Sequence, residues 1–156
     1  MPSILIICSA NICRSPVAEA LLRRRLSDAG HSQVDVSSAG TLGLDGAPAA
    51  EHSVSLLAER GLDIADHRSR GLDLAMLEAA DLVLAMENGH VGLIQGARPA
   101  LADRVHRLAE MAGEERDVPD PYGGPRQGYV EMISDVDDLI ERGFSSILRA
   151  LDLESR

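Results

Sequence analysis

The chain has 156 residues, a length that suits one domain (1–156) with a real core, and it carries a formal charge of −10 with 45% apolar but 2% aromatic residues. That acidic balance argues against general binding to nucleic acid or an anionic membrane surface, which needs clustered Lys and Arg. No apolar stretch approaches the ~20 residues of a membrane span, and Ile4 to Ile7 is too short for the apolar part of a secretory signal, so the expected compartment is the cytoplasm.

Along the chain, strand and helix signals alternate. Ile4 to Cys8 reads as a buried strand. Arg14 to Ala29 reads as a helix, with Val17, Ala18, Leu21, Leu22 and Leu26 at helical spacing and Gly30 as its C-cap. Gln33 to Ser37 reads as a short strand and Ser38 to Thr41 as a loop. Pro48 to Arg60 reads as a second helix ended by Gly61, and Leu72 to Ala79 as a short one. Asp81 to Met86 is a third apolar strand and Arg104 to Leu108 a weaker fourth. Gly113 to Gly124 is a loop rich in acids and prolines. Tyr129, Met132, Ile133, Val136, Ile140, Phe144, Ile147 and Leu151 form one face of a long final helix. No repeat, low-complexity run or long linker divides the chain. The alternation predicts an α/β fold, a mostly parallel sheet covered on both faces, with ligands beyond the carboxyl ends of the strands.

The loop Cys8-Ser9-Ala10-Asn11-Ile12-Cys13-Arg14-Ser15-Pro16 leaves the first strand at such an end and runs straight into a helix. Cys8 and Arg14 bracket five residues, the C-x5-R spacing of cysteine-dependent phosphatases. A free thiol has a pKa of ~8.5 and is mostly protonated near neutrality. A helix N-terminus offers unpaired N–H groups and partial positive charge, which stabilise both a thiolate and a bound phosphate. Arg14 adds a planar fork able to hold two phosphate oxygens. Ser15 is placed to donate to the Cys8 sulfur, Asn11 to fix the loop through its amide, and Pro16 fits the first helical turn. Cys8 and Cys13 are the two cysteines of the chain. They do not make a disulfide scaffold, and no His-rich set with zinc-ligand spacing accompanies them.

A second signal is Asp117-Val118-Pro119-Asp120-Pro121-Tyr122-Gly123. Attack by a thiolate on a phosphoryl ester expels an alkoxide or phenoxide, and a carboxylic acid on a loop over the socket can protonate it. Asp120, between two prolines, is the candidate. Taken alone the stretch reads more simply as a turn.

Together the two motifs resemble those of the low-molecular-weight protein tyrosine phosphatases, whose pattern is an N-terminal C-x-G-N-x-C-R-S-P loop and a distant D-P-Y/F-G loop. Chain length and strand-helix order agree, so the resemblance spans nearly the whole chain. It implies a four-stranded parallel sheet with flavodoxin-like order. It also implies a protein tyrosine phosphatase that uses neither metal nor cofactor and works through a cysteinyl-phosphate. Cys8 would be the nucleophile, and Asp120 the acid that then activates water. Arg14 and the loop amides of Ser9, Ala10, Asn11, Ile12, Cys13, Arg14 and Ser15 would hold the phosphate oxygens. The implied supports are Asn11, Ser15, Ser38 and His67. Cys13 matches the second loop cysteine, which could trap oxidised Cys8 as a disulfide. The implied partner is a phosphotyrosine-containing protein. Bacterial members often oppose tyrosine kinases of polysaccharide export, which makes such a kinase a candidate.

Three positions depart from the pattern. Ala10 replaces the usual glycine, at a cost of about 1 kcal/mol if the backbone there needs positive φ. The rim position that is commonly aromatic falls near Leu44, leaving Tyr122 as the ring-contacting wall. Ile12 stands where phosphoarginine-selective relatives carry a threonine able to contact the guanidinium, which favours tyrosine. Two other classes compete. A thioredoxin-coupled arsenate reductase relays electrons through cysteines far along the chain, and none follows Cys13. A non-catalytic phosphate-binding module would explain Ala10 and Leu44 but not the retention of nucleophile, arginine and acid.

Overall fold

The computed structural model describes residues 2 to 154; Met1, Ser155 and Arg156, at the ends of the expected 1–156 domain, lie outside the described residues. Four strands form one sheet: β1 (Ser3–Cys8), β2 (Asp35–Gly40), β3 (Leu82–Ala85) and β4 (Val105–Arg107), in the order β2-β1-β3-β4 and parallel throughout. Alternation along β1 explains how both faces are covered. Ile4, Ile6 and Cys8 face one apolar cluster, while Leu5 and Ile7 face the other. The first cluster is built with helices α1 (Arg14–Asp28), α2 (Glu51–Ala58), the one-turn α5 (Leu108–Met111) and the long α6 (Arg126–Ala150). The second includes Leu77 of α3 (Leu74–Ala79) and Val91 and Ile94 of α4 (Asn88–Ala97). Each fully buried aliphatic side chain in these layers, such as Leu22, Leu57 or Leu84, contributes about 1.5–3 kcal/mol.

The chain leaves β1 toward β2 on one side and later returns to β3 on the other. The order therefore reverses beside β1, and a crevice opens there at the carboxyl edge of the sheet. Cys8 ends β1, Gly40 ends β2, and Ala85 ends β3 just before α4, so three segments converge on that edge.

Several boundaries differ from the predicted ones for identifiable reasons. The second strand runs to Gly40 rather than stopping at Ser37, because all six residues from Asp35 to Gly40 pair with Ser3 to Cys8. Ser38 thus lies in the strand, its hydroxyl bonded to Glu19 and Asn11. The helix expected over Pro48 to Arg60 begins only at Glu51, since the Ala50 N–H is taken by the Ile12 carbonyl at 2.8 Å. The helix expected from Leu72 starts at Leu74: the Leu72 N–H goes to Gly40, and Asp73 caps the helix by accepting from the Met76 N–H. Helix α4 has no counterpart among the predicted elements. Gly89, Gly92 and Gly96 weaken its helix signal, yet Val91 and Ile94 bury its inner face. The 3-10 turn Pro99–Arg104 and α5 likewise lack a predicted counterpart.

Candidate active site

The segment after β1 wraps around the Cys8 sulfur. The Asn11 N–H donates to Sγ at 3.2 Å and the Ser15 hydroxyl lies 3.0 Å from it. That hydroxyl accepts from Asn11 Nδ2 at 2.7 Å, which leaves its own proton for the sulfur. Two donors aimed at one sulfur stabilise negative charge there. Helix α1 then begins at Arg14, and the side chain of its N-cap residue, Cys13, makes no capping bond, so among the described residues no side chain occupies its first N–H groups.

Asn11 carries the loop's backbone strain. Its φ of 62° is left-handed, a conformation that Asn tolerates better than most residues. Its polar groups hold it there: besides Ser15, Nδ2 donates to Ser38 Oγ at 2.9 Å, and Oδ1 accepts from the Arg70 N–H at 3.0 Å. Its carbonyl accepts from His67 Nε2 at 2.7 Å. Asn11 and Ser15 are fully buried. Ser38 and His67, expected as supports, stand directly behind the loop, and Ser38 Oγ passes its own proton to Glu19 at 2.6 Å. Gly40 gives the loop its space. A Cβ there would sit 2.6 Å from the Ser9 carbonyl oxygen and 2.9 Å from the Ala10 carbonyl carbon.

The positive φ expected as a possible cost of Ala10 is found one residue later, at Asn11. Ala10 replaces glycine at a position where the backbone is not left-handed, so its methyl group brings no such strain.

Arg14 is the largest fully buried side chain among the described residues, at 1% exposure. Its Nη1 donates to the Val118 carbonyl at 2.8 Å and forms an ion pair with Glu87 Oε2 at 2.6 Å, and its Nη2 lies 3.5 Å from Asp120 Oδ2. Nε is buried with no hydrogen-bond partner among the described residues. A buried, unsatisfied guanidinium N–H in the cavity that Cys8 also lines is a donor left for an anionic ligand.

These groups line a cavity of about 560 Å³. Cys8, Ser9, Ala10, Ile12, Cys13 and Arg14 form its floor, with Asp120 at one side. Leu44, at the expected rim position, and Tyr122, the expected wall, also line it, with Leu42 and Gly43. Leu42 and Tyr122 are 71% and 65% exposed, an apolar rim over a polar floor. Cys13 is a free thiol hydrogen-bonded to Tyr129 at 3.5 Å, and burial pushes its pKa up.

Four residues of the site have no role assigned by the sequence pattern, although Asp117 opens the second motif. Glu87 and His90 sit at the start of α4. His90 Nε2 is 3.0 Å from Ser9 Oγ, and its Nδ1 accepts the Glu87 N–H at 3.2 Å. Burial lowers the His90 pKa. Asp117 holds the acid loop by accepting from the Asn88 N–H at 2.8 Å and from Arg107 at 3.2 Å. Leu42 belongs to the rim. The signals that point to them are the flanking leucines of Leu42-Gly43-Leu44, and Met86-Glu87 directly after a strand at the ligand-binding edge.

An anion socket with a cysteine floor, at the switch point of a flavodoxin-like sheet, defines a cysteine-dependent phosphatase architecture. The family model for low molecular weight phosphotyrosine protein phosphatase matches residues 3–156, and the chain belongs to that family of phosphoric monoester hydrolases. It is 39% identical over 141 residues to a probable low molecular weight protein-tyrosine-phosphatase, EpsP, of Ralstonia nicotianae, covering 90% of each chain. It is 36% identical over 140 residues to a protein-arginine-phosphatase of Geobacillus stearothermophilus, covering 89% of this chain and 91% of the other. Among solved structures, a low molecular weight protein tyrosine phosphatase from T. tengcongensis superposes with a TM-score of 0.88 at 35% identity, covering 94% of this chain and 99% of that one.

Proposed function

We propose that the protein hydrolyses phosphotyrosine in proteins through a phosphocysteine intermediate, as a single catalytic domain spanning 1–156 in the cytoplasm. The observation that carries this is the convergence of Cys8, Arg14 and Asp120 on one cavity. In the first step Cys8 Sγ attacks phosphorus, the phosphorus–oxygen bond to the tyrosine breaks, and Asp120 gives its proton to the departing phenolate. In the second, Asp120 takes a proton from water, whose oxygen attacks the phosphocysteine; the S–P bond breaks and inorganic phosphate leaves. Arg14 Nε and the N–H groups at the start of α1 hold the equatorial oxygens in both steps. The 3.5 Å contact between Arg14 Nη2 and Asp120 is long enough to yield to an incoming dianion. This chemistry calls on these side chains, the backbone N–H groups of the loop and water.

The relatives divide between tyrosine and arginine, at similar identity. Ile12 on the cavity floor supports tyrosine, since it offers a guanidinium no hydrogen bond. The rim of Leu42, Leu44 and Tyr122 suits an aromatic ring. The expected partner is a phosphotyrosine protein, a bacterial tyrosine kinase among the candidates. The test is kcat/KM on peptides carrying phosphotyrosine, phosphoarginine or phosphoserine. Tyrosine should exceed both others by at least about tenfold, the effect of ~1.4 kcal/mol of differential binding; a preference for phosphoarginine would overturn the substrate assignment and leave the chemistry standing.

A further inference from the structure

We propose that His90 is a positioning residue, holding the phosphate-binding loop through Ser9 and, through the backbone of Glu87, the carboxylate that orients Arg14. The proposal rests on the phosphatase reading of the site.

The loop is held differently on its two sides. The Asn11 side is braced by Ser15, Ser38, Arg70 and His67. On the Ser9 side the bonds among the described residues are one backbone bond, from the Leu42 N–H to the Ser9 carbonyl, and the contact of Ser9 Oγ with His90 Nε2 at 3.0 Å. His90 is 6% exposed, and both ring nitrogens are used. A backbone N–H can only donate, so Nδ1, which takes the Glu87 N–H, carries no proton. The neutral ring therefore keeps its hydrogen on Nε2 and presents it to Ser9 Oγ. Burial, which disfavours the charged ring, supports the same tautomer.

One rigid ring thus connects two parts of the machinery. At one end is the residue directly after the nucleophile. At the other is Glu87, whose Oε2 pairs with Arg14 Nη1 at 2.6 Å. Donors that stabilise a transition state must be in place before charge develops, and small displacements of them are costly. Loss of the ring would let the Ser9 turn and the Glu87–Arg14 pair move independently.

The two ends can be separated by substitution. His90→Asn can still accept from the Glu87 N–H but is too short to reach Ser9. His90→Gln restores an N–H donor at greater reach. Hydrolysis of an aryl phosphate and the Kd of inorganic phosphate are measured for the wild type, Ser9→Ala, His90→Asn, Ser9→Ala/His90→Asn, His90→Gln and Ser9→Ala/His90→Gln. Ser9→Ala and His90→Asn should each lower kcat roughly tenfold with KM little changed, and the pair together should be no worse than the poorer single. His90→Gln should recover much of the loss when Ser9 is present and none when it is Ala. Independent, multiplying effects would overturn the proposal, as would a drop in Tm with unchanged kcat. If His90→Asn does not fold, Ser9→Ala decides: a roughly tenfold loss in kcat supports the link, and wild-type kcat and phosphate affinity overturn it. Should the wild type fail to hydrolyse aryl phosphates, the reading of function falls, and the same pattern in phosphate Kd still tests the positioning role.

Discussion

The phosphate-binding loop and the acid loop face each other across one cavity but are built by opposite means. Asn11 and Ser15 are wholly buried, and hydrogen bonds with four residues in three separate segments fix a left-handed backbone at Asn11. The Asp120 side chain is 41% exposed, touches Arg14 only at 3.5 Å, and otherwise accepts a local bond from the Tyr122 N–H. Between them Val118 is fully buried, its carbonyl on Arg14 and its N–H on Met86. The acid loop is therefore anchored at Asp117 and Val118 and loosely held from Asp120 onward. A group that binds developing charge gains from being fixed in advance; a group that must meet leaving groups of different shape gains from reach.

Substitutions can break this contrast in order of size. Cys8→Ser should reduce aryl phosphate hydrolysis to background while leaving inorganic phosphate binding measurable, because the loop keeps its donors. Asp120→Asn should lower kcat by about 10²- to 10³-fold on a phenol-type ester. The loss should shrink markedly on an ester whose leaving group needs no proton; an equal loss on both would deny the acid role. Asn11→Ala strikes the braced side. With several buried hydrogen bonds gone and a left-handed backbone kept, it should cost about 2–4 kcal/mol in chemical denaturation along with most activity. Tyr122→Ala, on the loose side, should raise KM for aromatic substrates a few-fold with stability within about 0.5 kcal/mol of wild type.

The smallest effect is one of pH. The folded-state pKa of His90 is lowered by burial, with Arg14 adding to this and Glu87, Asp117 and Asp120 opposing it. The unfolded chain therefore binds more protons there as pH falls below about 6.5, so its contribution to stability is full above that value and is lost on acidification. Wild type should lose slightly more Tm than His90→Gln between neutral pH and pH about 5.

Much of this architecture is legible in the amino-acid sequence. β1 and α1 announce themselves through an apolar run and a helical stripe, and the loop between them has a spacing tied to its chemistry. Asp120 becomes legible as a partner only once that loop is recognised. What the sequence hides depends on contacts made across the fold. Glu87 precedes and His90 lies on a glycine-rich helix whose stability comes from burial of Val91 and Ile94 rather than propensity. Ser38 reads as a loop residue because two serines interrupt the strand pattern; pairing with Ile6 of β1 places it in β2, and its buried hydroxyl is satisfied by Glu19 of α1 and Asn11 of the loop. The strain expected at Ala10 falls on Asn11, a shift of one residue that only backbone angles reveal.

The proposed mechanism turns on a covalent phosphoryl group passing through Cys8. Rapid acid quenching during turnover of an aryl phosphate, with intact-mass measurement and peptide mapping of the enzyme, looks for that group directly. A single phosphoryl adduct on Cys8 is expected, forming with the release of the phenol and decaying with the release of phosphate. Sustained turnover with no adduct, or with the adduct on another residue, would contradict it.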